Sequence, residues 1–433
     1  MNADNFKFSL LKNIKLETSL EGISLVIAKT GLKEGVRIFG SLLGGAVFDN
    51  NPMTASVLRC MFERGTKRKK KEEIYSIFDK AGASFSFFSN QFYLSFSLAC
   101  LKEDCEKLLL LISEMIREPA FAEKEFINVK KQIIAELRQE KTDTQRQGHF
   151  ALKRALYPKE NPNYIYSTEN RIDFVKKLKL KDIKNLQIQI GRGGLSIVAI
   201  GDCDSKKIIS AVKKGFGRLK LSKFKISETS LVKNTKNKPV KIFIPDKQNV
   251  DLLMGCTVPI AEKDHTYMPL MVAAMILGGG GFTGRLMREV RVKRGLTYGI
   301  RSSVVSADYR ISGYFFIWGT FAPALVNNGK KAINEVVKKF YEKGVTEAEV
   351  DLKKKMILGN MVVNVETSAG LGKILLSILE EGRIPESAWE EDVTRILKIT
   401  AKEVNESIKC YLNPKKFTLV EVGTFLKDIG VIK

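Results

Sequence analysis

Apolar residues recur along this chain in two periods, and the order in which the periods alternate predicts an architecture. Runs of β-branched and aromatic residues with partial alternation predict strands at 23–29 (ISLVIAK), 36–43 (VRIFGSLL) and 92–100 (FYLSFSLAC). Apolar positions three and four apart predict helices at 54–63, 71–81, 103–116 and 123–137. The succession then returns: a strand at 240–245 (VKIFIP), a helix at 265–277, strands at 296–303 and 311–318, and long helices at 324–341 and 346–363. Strands followed by helices give an α+β class, each half a mostly antiparallel sheet with helices packed on one face.

The echo extends to individual residues. KLKLKDI (177–183) returns as KITAKEV (398–404), and each precedes an apolar strand, GLSIVAIG ending at Gly201 and FTLVEVG ending at Gly423; the offsets are 221 and 222. AEKEFINVKKQII (122–134) matches TEAEVDLKKKMIL (346–358) at an offset of 224, with Glu123 over Glu347 and Glu125 over Glu349. Three agreements near one offset divide the chain into two homologous halves. Residues 219–239 are rich in Lys, Ser, Thr and Asn with little apolar periodicity. The expected domains are therefore 1–218 and 240–433, joined by a linker at 219–239.

Length and composition permit this division, since 433 residues at 44% apolar content can bury two or more cores. Lys plus Arg exceed Asp plus Glu by 72 − 48 = 24. That excess suits an anionic partner, acidic peptide substrates or simply a lysine-rich coding bias, because the lysines are spread along the chain. The basic run KRKKK (67–71) has no interleaved aromatic residues and reads as a solvated loop rather than a nucleic-acid patch. Six cysteines at irregular spacings, without a C-x-x-C pair, indicate neither a disulfide framework nor a cysteine-rich zinc module. The N-terminus shows no apolar core of a signal peptide, and no window reaches the ~18 apolar residues of a membrane span. A cytoplasmic location is expected, or a periplasmic one if a leader was removed. The glycine run 278–281 lacks G-x-x-x-x-G-K-[ST] and reads as a flexible connection that lets backbone approach a substrate or partner.

Five segments carry a resemblance: MFERGT (61–66), FDKAGASFSFFSN (78–90), EMIREPAFAEKEFINVKKQIIAEL (114–137), VAIGDCD (198–204) and LGGGGFTGRLMREVRVKRGLTYGIRSS (277–303). Together they resemble the insulinase/pitrilysin family of zinc metallopeptidases, in particular its short, mitochondrial processing peptidase-like members that work as two-subunit proteases. The family's zinc helix carries H-x-x-E-H, two ligands with a water-activating Glu between them. Registering on MFERGT puts those positions at Ser56, Arg59 and Cys60, so all three are replaced. The resemblance places a third ligand at Glu136, which is retained, but one carboxylate cannot hold zinc and Arg59 brings positive charge to the same place. Neither His149 nor His265 lies in the motif, and no histidine is placed to activate Ser56 or Cys60 as a nucleophile. The family's C-terminal half supplies an Arg and a Tyr that hold substrate backbone and the developing oxyanion; these fall on Arg291 and Tyr298. The resemblance thus implies a zinc-less subunit, inactive alone and holding no cofactor. It would serve a zinc-bearing partner in a heterodimer acting on peptides. The competing expectation is a non-enzymatic scaffold that kept the fold.

Overall fold

The computed structural model describes residues 14–20, 22–31, 33–217, 219, 232, 238–305 and 308–425; most of the expected linker at 219–239 lies outside them. In chain order the first half runs β1 (Ile14–Leu20), β2 (Ile23–Lys29), β3 (Gly35–Leu43), α1 (Thr54–Phe62), α2 (Lys71–Lys80), β4 (Ser84–Ser89), β5 (Tyr93–Leu101), α3 (Cys105–Arg117), α4 (Glu123–Glu140), α5 (Thr144–Leu156), α6 (Thr168–Lys177), α7 (Leu180–Gln189), β6 (Leu195–Gly201) and α8 (Ser205–Phe216). The second runs β7 (Val240–Phe243), β8 (Val250–Val258), α9 (Tyr267–Ala274), β9 (Gly299–Val305), β10 (Gly313–Phe321), α10 (Val326–Lys343), α11 (Glu347–Val365), α12 (Ser368–Glu380), α13 (Pro385–Lys398), α14 (Ala401–Tyr411) and β11 (Thr418–Gly423). Among the described residues no single helix is long and apolar enough to cross a membrane.

The repeat seen in the sequence is a repeat of topology. One sheet has the order β1-β2-β6-β3-β5-β4 and the other β7-β11-β8-β10-β9, so apart from β1 they correspond strand for strand. In both, a single parallel pair (β2 with β6, β7 with β11) joins otherwise antiparallel neighbours. The matched segments AEKEF and TEAEV open α4 and α11, whose first residues, Glu123 and Glu347, differ by the offset of 224.

Each sheet belongs to a compact unit, and neither unit is contiguous in sequence. Unit 1 comprises Met1–Glu136, Glu169–Ser227 and Met361–Asp392; unit 2 comprises Leu137–Thr168, Glu228–Asn360 and Val393–Lys433. The reason lies in the sheet faces. In unit 1 the helices of the first half cover one face, where the Phe96 ring of β5 stacks on Phe216 of α8 at 5.8 Å. The opposite face is covered by α12 from the second half, whose Gly372 is so close to β3 and β6 that a Cβ would stand 2.3 Å from the Phe39 ring and 3.1 Å from Ile200. Unit 2 repeats the exchange. Its β8 is tied to α14 on one face, the Cys256 thiol donating to the Tyr411 carbonyl at 3.6 Å. On the other face α5, from the first half, packs Ala151, Leu152 and Leu156 against Leu253, Phe316, Val420 and Val422. Helices on one face are thus what each half brings, and a borrowed helix closes the other. With both faces covered, every residue of β8 is buried.

The borrowed α5 is also held by a polar clasp. Asp251 of β8 is buried, and its carboxylate accepts from the Thr144 hydroxyl at the start of α5, from Trp318 Nε1 at 2.8 Å and from Asn249 Nδ2 at 3.0 Å. Burial raises its carboxyl above the ordinary value, and these donors act in the opposite direction.

Candidate functional site

In unit 1 the zinc-motif positions lie on α1, a helix formed because Val57, Leu58, Met61 and Phe62 recur at helical spacing and are buried. Ser56 and Arg59 are half-buried on its flank and Cys60 is buried. The Arg59 guanidinium reaches the Phe87 carbonyl of β4 only at 3.5 Å. Burial raises the Cys60 thiol, and the carboxylates of Glu63 and Glu136 push it the same way, while Arg59 opposes them. Cys60 is therefore a protonated thiol in the environment where a nucleophile or metal ligand would need a thiolate. Glu136 on α4 is exposed and accepts a hydrogen bond from Gln132 Nε2 at 2.9 Å. A serine hydroxyl, an arginine cation, a protonated thiol and a carboxylate already engaged do not fit a zinc ion. Among the described residues no group of three or more His, Cys, Asp or Glu side chains could hold a metal. His149 packs edge-on against Phe316 at 4.7 Å in unit 2, and His265 is exposed.

The second set of positions lies in unit 2. After α9 the chain makes a π-helical turn at Met275–Gly279, a 3-10 turn at Gly281–Thr283 and a second π-helical segment at Met287–Val292. The glycine run is packed over its first three members and open at Gly281: a Cβ on Gly278 would stand 2.8 Å from the Ser302 backbone nitrogen and one on Gly280 would stand 1.9 Å from Lys353 Nζ, whereas one on Gly281 would meet nothing within 4 Å. That buried lysine donates to Thr283 Oγ1 at 2.7 Å, and Thr283 in turn donates to the Gly280 carbonyl at 2.7 Å. Three residues past the π segment stands Gly295, whose φ of 63° suits glycine and whose amide donates to the Arg291 carbonyl at 2.9 Å. Next, Thr297 is buried, its hydroxyl donating to the Thr320 carbonyl, so the neighbouring Tyr298 is turned outward and is 88% exposed.

Two arginines of this segment sit differently. Arg285 forks onto Glu349 at 2.7 and 2.8 Å and donates to the Gly344 carbonyl at 2.9 Å, a structural pairing. The Arg291 guanidinium instead lies 5.0 Å over the Phe282 ring, and no carboxylate among the described residues pairs with it. Phe282 and Val292 are themselves largely exposed. The structure thus brings Arg291 together with Phe282, and leaves Tyr298 exposed seven residues further on. Phe282 was not singled out by sequence reasoning; the available signal was a large aromatic residue placed directly after four glycines.

Comparison with known proteins bears on both halves of this picture. A family model described as insulinase (peptidase family M16) matches residues 45–168, and one described as the peptidase M16 inactive domain matches residues 193–357. A protein of Helicobacter pylori named as a non-peptidase homolog, YmxG, is 25% identical over 392 residues, covering 89% of this chain and 88% of the relative. A protein of Rickettsia felis named as an uncharacterized zinc protease is 24% identical over 373 residues, covering 84% and 85%. Among solved structures, a peptidase M16 inactive domain from Pseudomonas fluorescens superposes with a TM-score of 0.84 at 22% identity over 96% of this chain and 98% of that one. A protease from Helicobacter pylori gives 0.81 at 18% identity over 95% and 99%. These two likenesses establish the fold.

Proposed function

Because the chain belongs to the insulinase family, peptidase family M16, we propose that it is the zinc-less subunit of a heterodimeric peptidase, lending Arg291 and Tyr298 to a zinc-bearing partner. One contrast carries the reading. The zinc positions hold Ser56, Arg59 and a protonated Cys60, whereas Tyr298 is exposed to solvent and the half-buried Arg291 lies over the Phe282 ring with no carboxylate paired to it among the described residues. At 88% exposure the Tyr298 phenol is outside the core and open to whatever docks on this part of unit 2. In trans, the Tyr298 hydroxyl would donate to the oxygen that gains charge in the tetrahedral state, and Arg291 would fork onto a substrate carbonyl or carboxylate. The zinc and the water it activates would come from the partner, and the cytoplasm is the proposed setting.

Mixing the purified chain with the zinc-bearing partner tests the reading: peptidase activity is expected from the mixture and from neither chain alone. Arg291→Ala should then lower kcat/KM more than kcat, as a loss of substrate positioning does. A partner fully active by itself would overturn the proposal. The second reading is a non-enzymatic scaffold, favoured by the name of the Helicobacter pylori relative as a non-peptidase homolog. It predicts that the partner is fully active alone and that Arg291→Ala leaves the complex unchanged.

A further inference from the structure

Beside α5, on the sheet face that this helix covers, β9 is the edge strand of the sheet of unit 2. Tyr314, Phe316 and Trp318 alternate along β10 onto that face, and Arg301 of β9 stands opposite Trp318 in register. The Arg301 side chain is exposed, and its guanidinium lies 5.6 Å over the Phe316 ring and 5.5 Å over Trp318. His149 and Lys153, one turn apart on α5, come down on the same floor: His149 edge-on to Phe316 at 4.7 Å, and Lys153 Nζ 5.9 Å from the Tyr314 ring. Three basic side chains therefore meet over one aromatic surface. Among the described residues no carboxylate pairs with Lys153 or Arg301, and the nearby Asp251 is buried and engaged by its own donors. The crowding is felt electrostatically. Burial lowers Lys153 to about 8; burial, then the fields of Arg301 and Lys153, lowers His149 to about 4, against a smaller opposing effect of Asp143.

We propose that this cluster is a subsite for the carboxylate of an acidic side chain on an unfolded peptide, gripped by Arg301 and Lys153 above the aromatic floor. The inference rests on the peptide-handling reading above and gives it a substrate class. Charge complementarity selects the occupant: an anion supplies the countercharge that the half-buried Lys153 and the exposed Arg301 lack, and charge-assisted hydrogen bonds to Arg are strong and directional. The half-exposed Trp318, held by its Nε1 hydrogen bond to Asp251 at 2.8 Å, offers apolar surface to the residues flanking that carboxylate. The net charge of +24 brings acidic peptides to the chain from a distance.

The test uses the full chain without its partner, and two fluorescent decapeptides that are identical except for Glu or Gln at the centre. Anisotropy titrations should show the Glu peptide binding roughly tenfold tighter. Arg301→Gln and Lys153→Met should each abolish most of that preference, Arg301→Lys should keep part of it, and Lys67→Gln in the exposed basic run should leave it intact. Equal affinities for the two peptides, binding of neither, or a preference that survives Arg301→Gln would overturn the proposal. So would an equal loss from Lys67→Gln, which would mean that bulk charge alone is sensed. Succinate competing as well as the Glu peptide would assign the subsite to free dicarboxylates and also overturn it. Because no partner is present, a failed subsite shows as lost Glu preference here, whereas a failed trans-site reading shows as an active lone partner.

Discussion

A neutral imidazole is what burial of His149, and then the fields of Arg301 and Lys153, favour, and this has a thermodynamic consequence. Its value of about 4 lies below the ~6.5 of an unfolded histidine. Between those values the unfolded chain binds a proton that the folded chain does not, so stability rises with pH there. The contribution is fully present above about pH 6.5 and fades as pH falls toward 4, amounting to about 3 kcal/mol over the interval. His149→Gln should flatten the acid limb of a urea-denaturation series measured from pH 4 to 7; an unchanged limb would mean that the imidazole titrates freely. Cys60 gives a second residue-scale prediction. With its thiol raised by burial and Cys410 exposed, iodoacetamide at neutral pH should label Cys410 first and leave Cys60 largely unmodified, as peptide mass spectrometry would show. Rapid labelling of Cys60 would point to an activated nucleophile instead.

Gly148 of α5 and Gly372 of α12 differ by 224, the offset that relates α4 to α11, and they occupy the same place in the two units. Each lets a borrowed helix approach a sheet closely: Gly148 faces Leu253 and Val422, and Gly372 faces Phe39 and Ile200. Glycine costs a helix interior roughly 1 kcal/mol relative to alanine, so close packing is the reason these positions tolerate it. Gly372→Leu should lower stability by about 3 kcal/mol, since the Phe39 ring blocks the space; Gly148→Ala should cost less because Leu253 can turn its methyl aside. Chemical denaturation of both variants measures the difference. The same helices mark where sequence reading stopped. Strands β2, β3 and β5 were legible from composition and partial alternation, and the helices α1 to α4 from their apolar stripe. By contrast, β8 was missed because VDLLMGCTV is buried on both faces and so shows no alternation. The Ser/Phe alternation of β4 was noticed only as part of a motif. Of the candidate site, Ser56, Arg59, Cys60, Arg291 and Tyr298 are named from the family resemblance, registered on MFERGT and RVKRGLTYG. Which way Tyr298 points does not follow from it, because a turn residue's direction depends on neighbours such as Thr297 and Gly295.

At the scale of the molecule, the exchange of α5 and α12 means that a cut at the linker does not yield two self-sufficient pieces. A fragment of 1–218 carries the sheet of unit 1 without α12, leaving Phe39 and Ile200 uncovered; a fragment of 240–433 carries the sheet of unit 2 without α5. Each expressed alone should bind a hydrophobic dye and aggregate, and co-expression should restore a soluble pair with cooperative unfolding. Two fragments that fold separately with sharp transitions would show that the borrowed helices are dispensable. The central claim, that this chain completes a catalytic site for another, stands on Tyr298. Its most direct measurement is the kcat of the complex reconstituted from the zinc-bearing partner and the Tyr298→Phe chain. Loss of one oxyanion donor predicts a fall of roughly 10²- to 10³-fold with complex formation unchanged; a kcat equal to that of the unsubstituted pair would contradict the account.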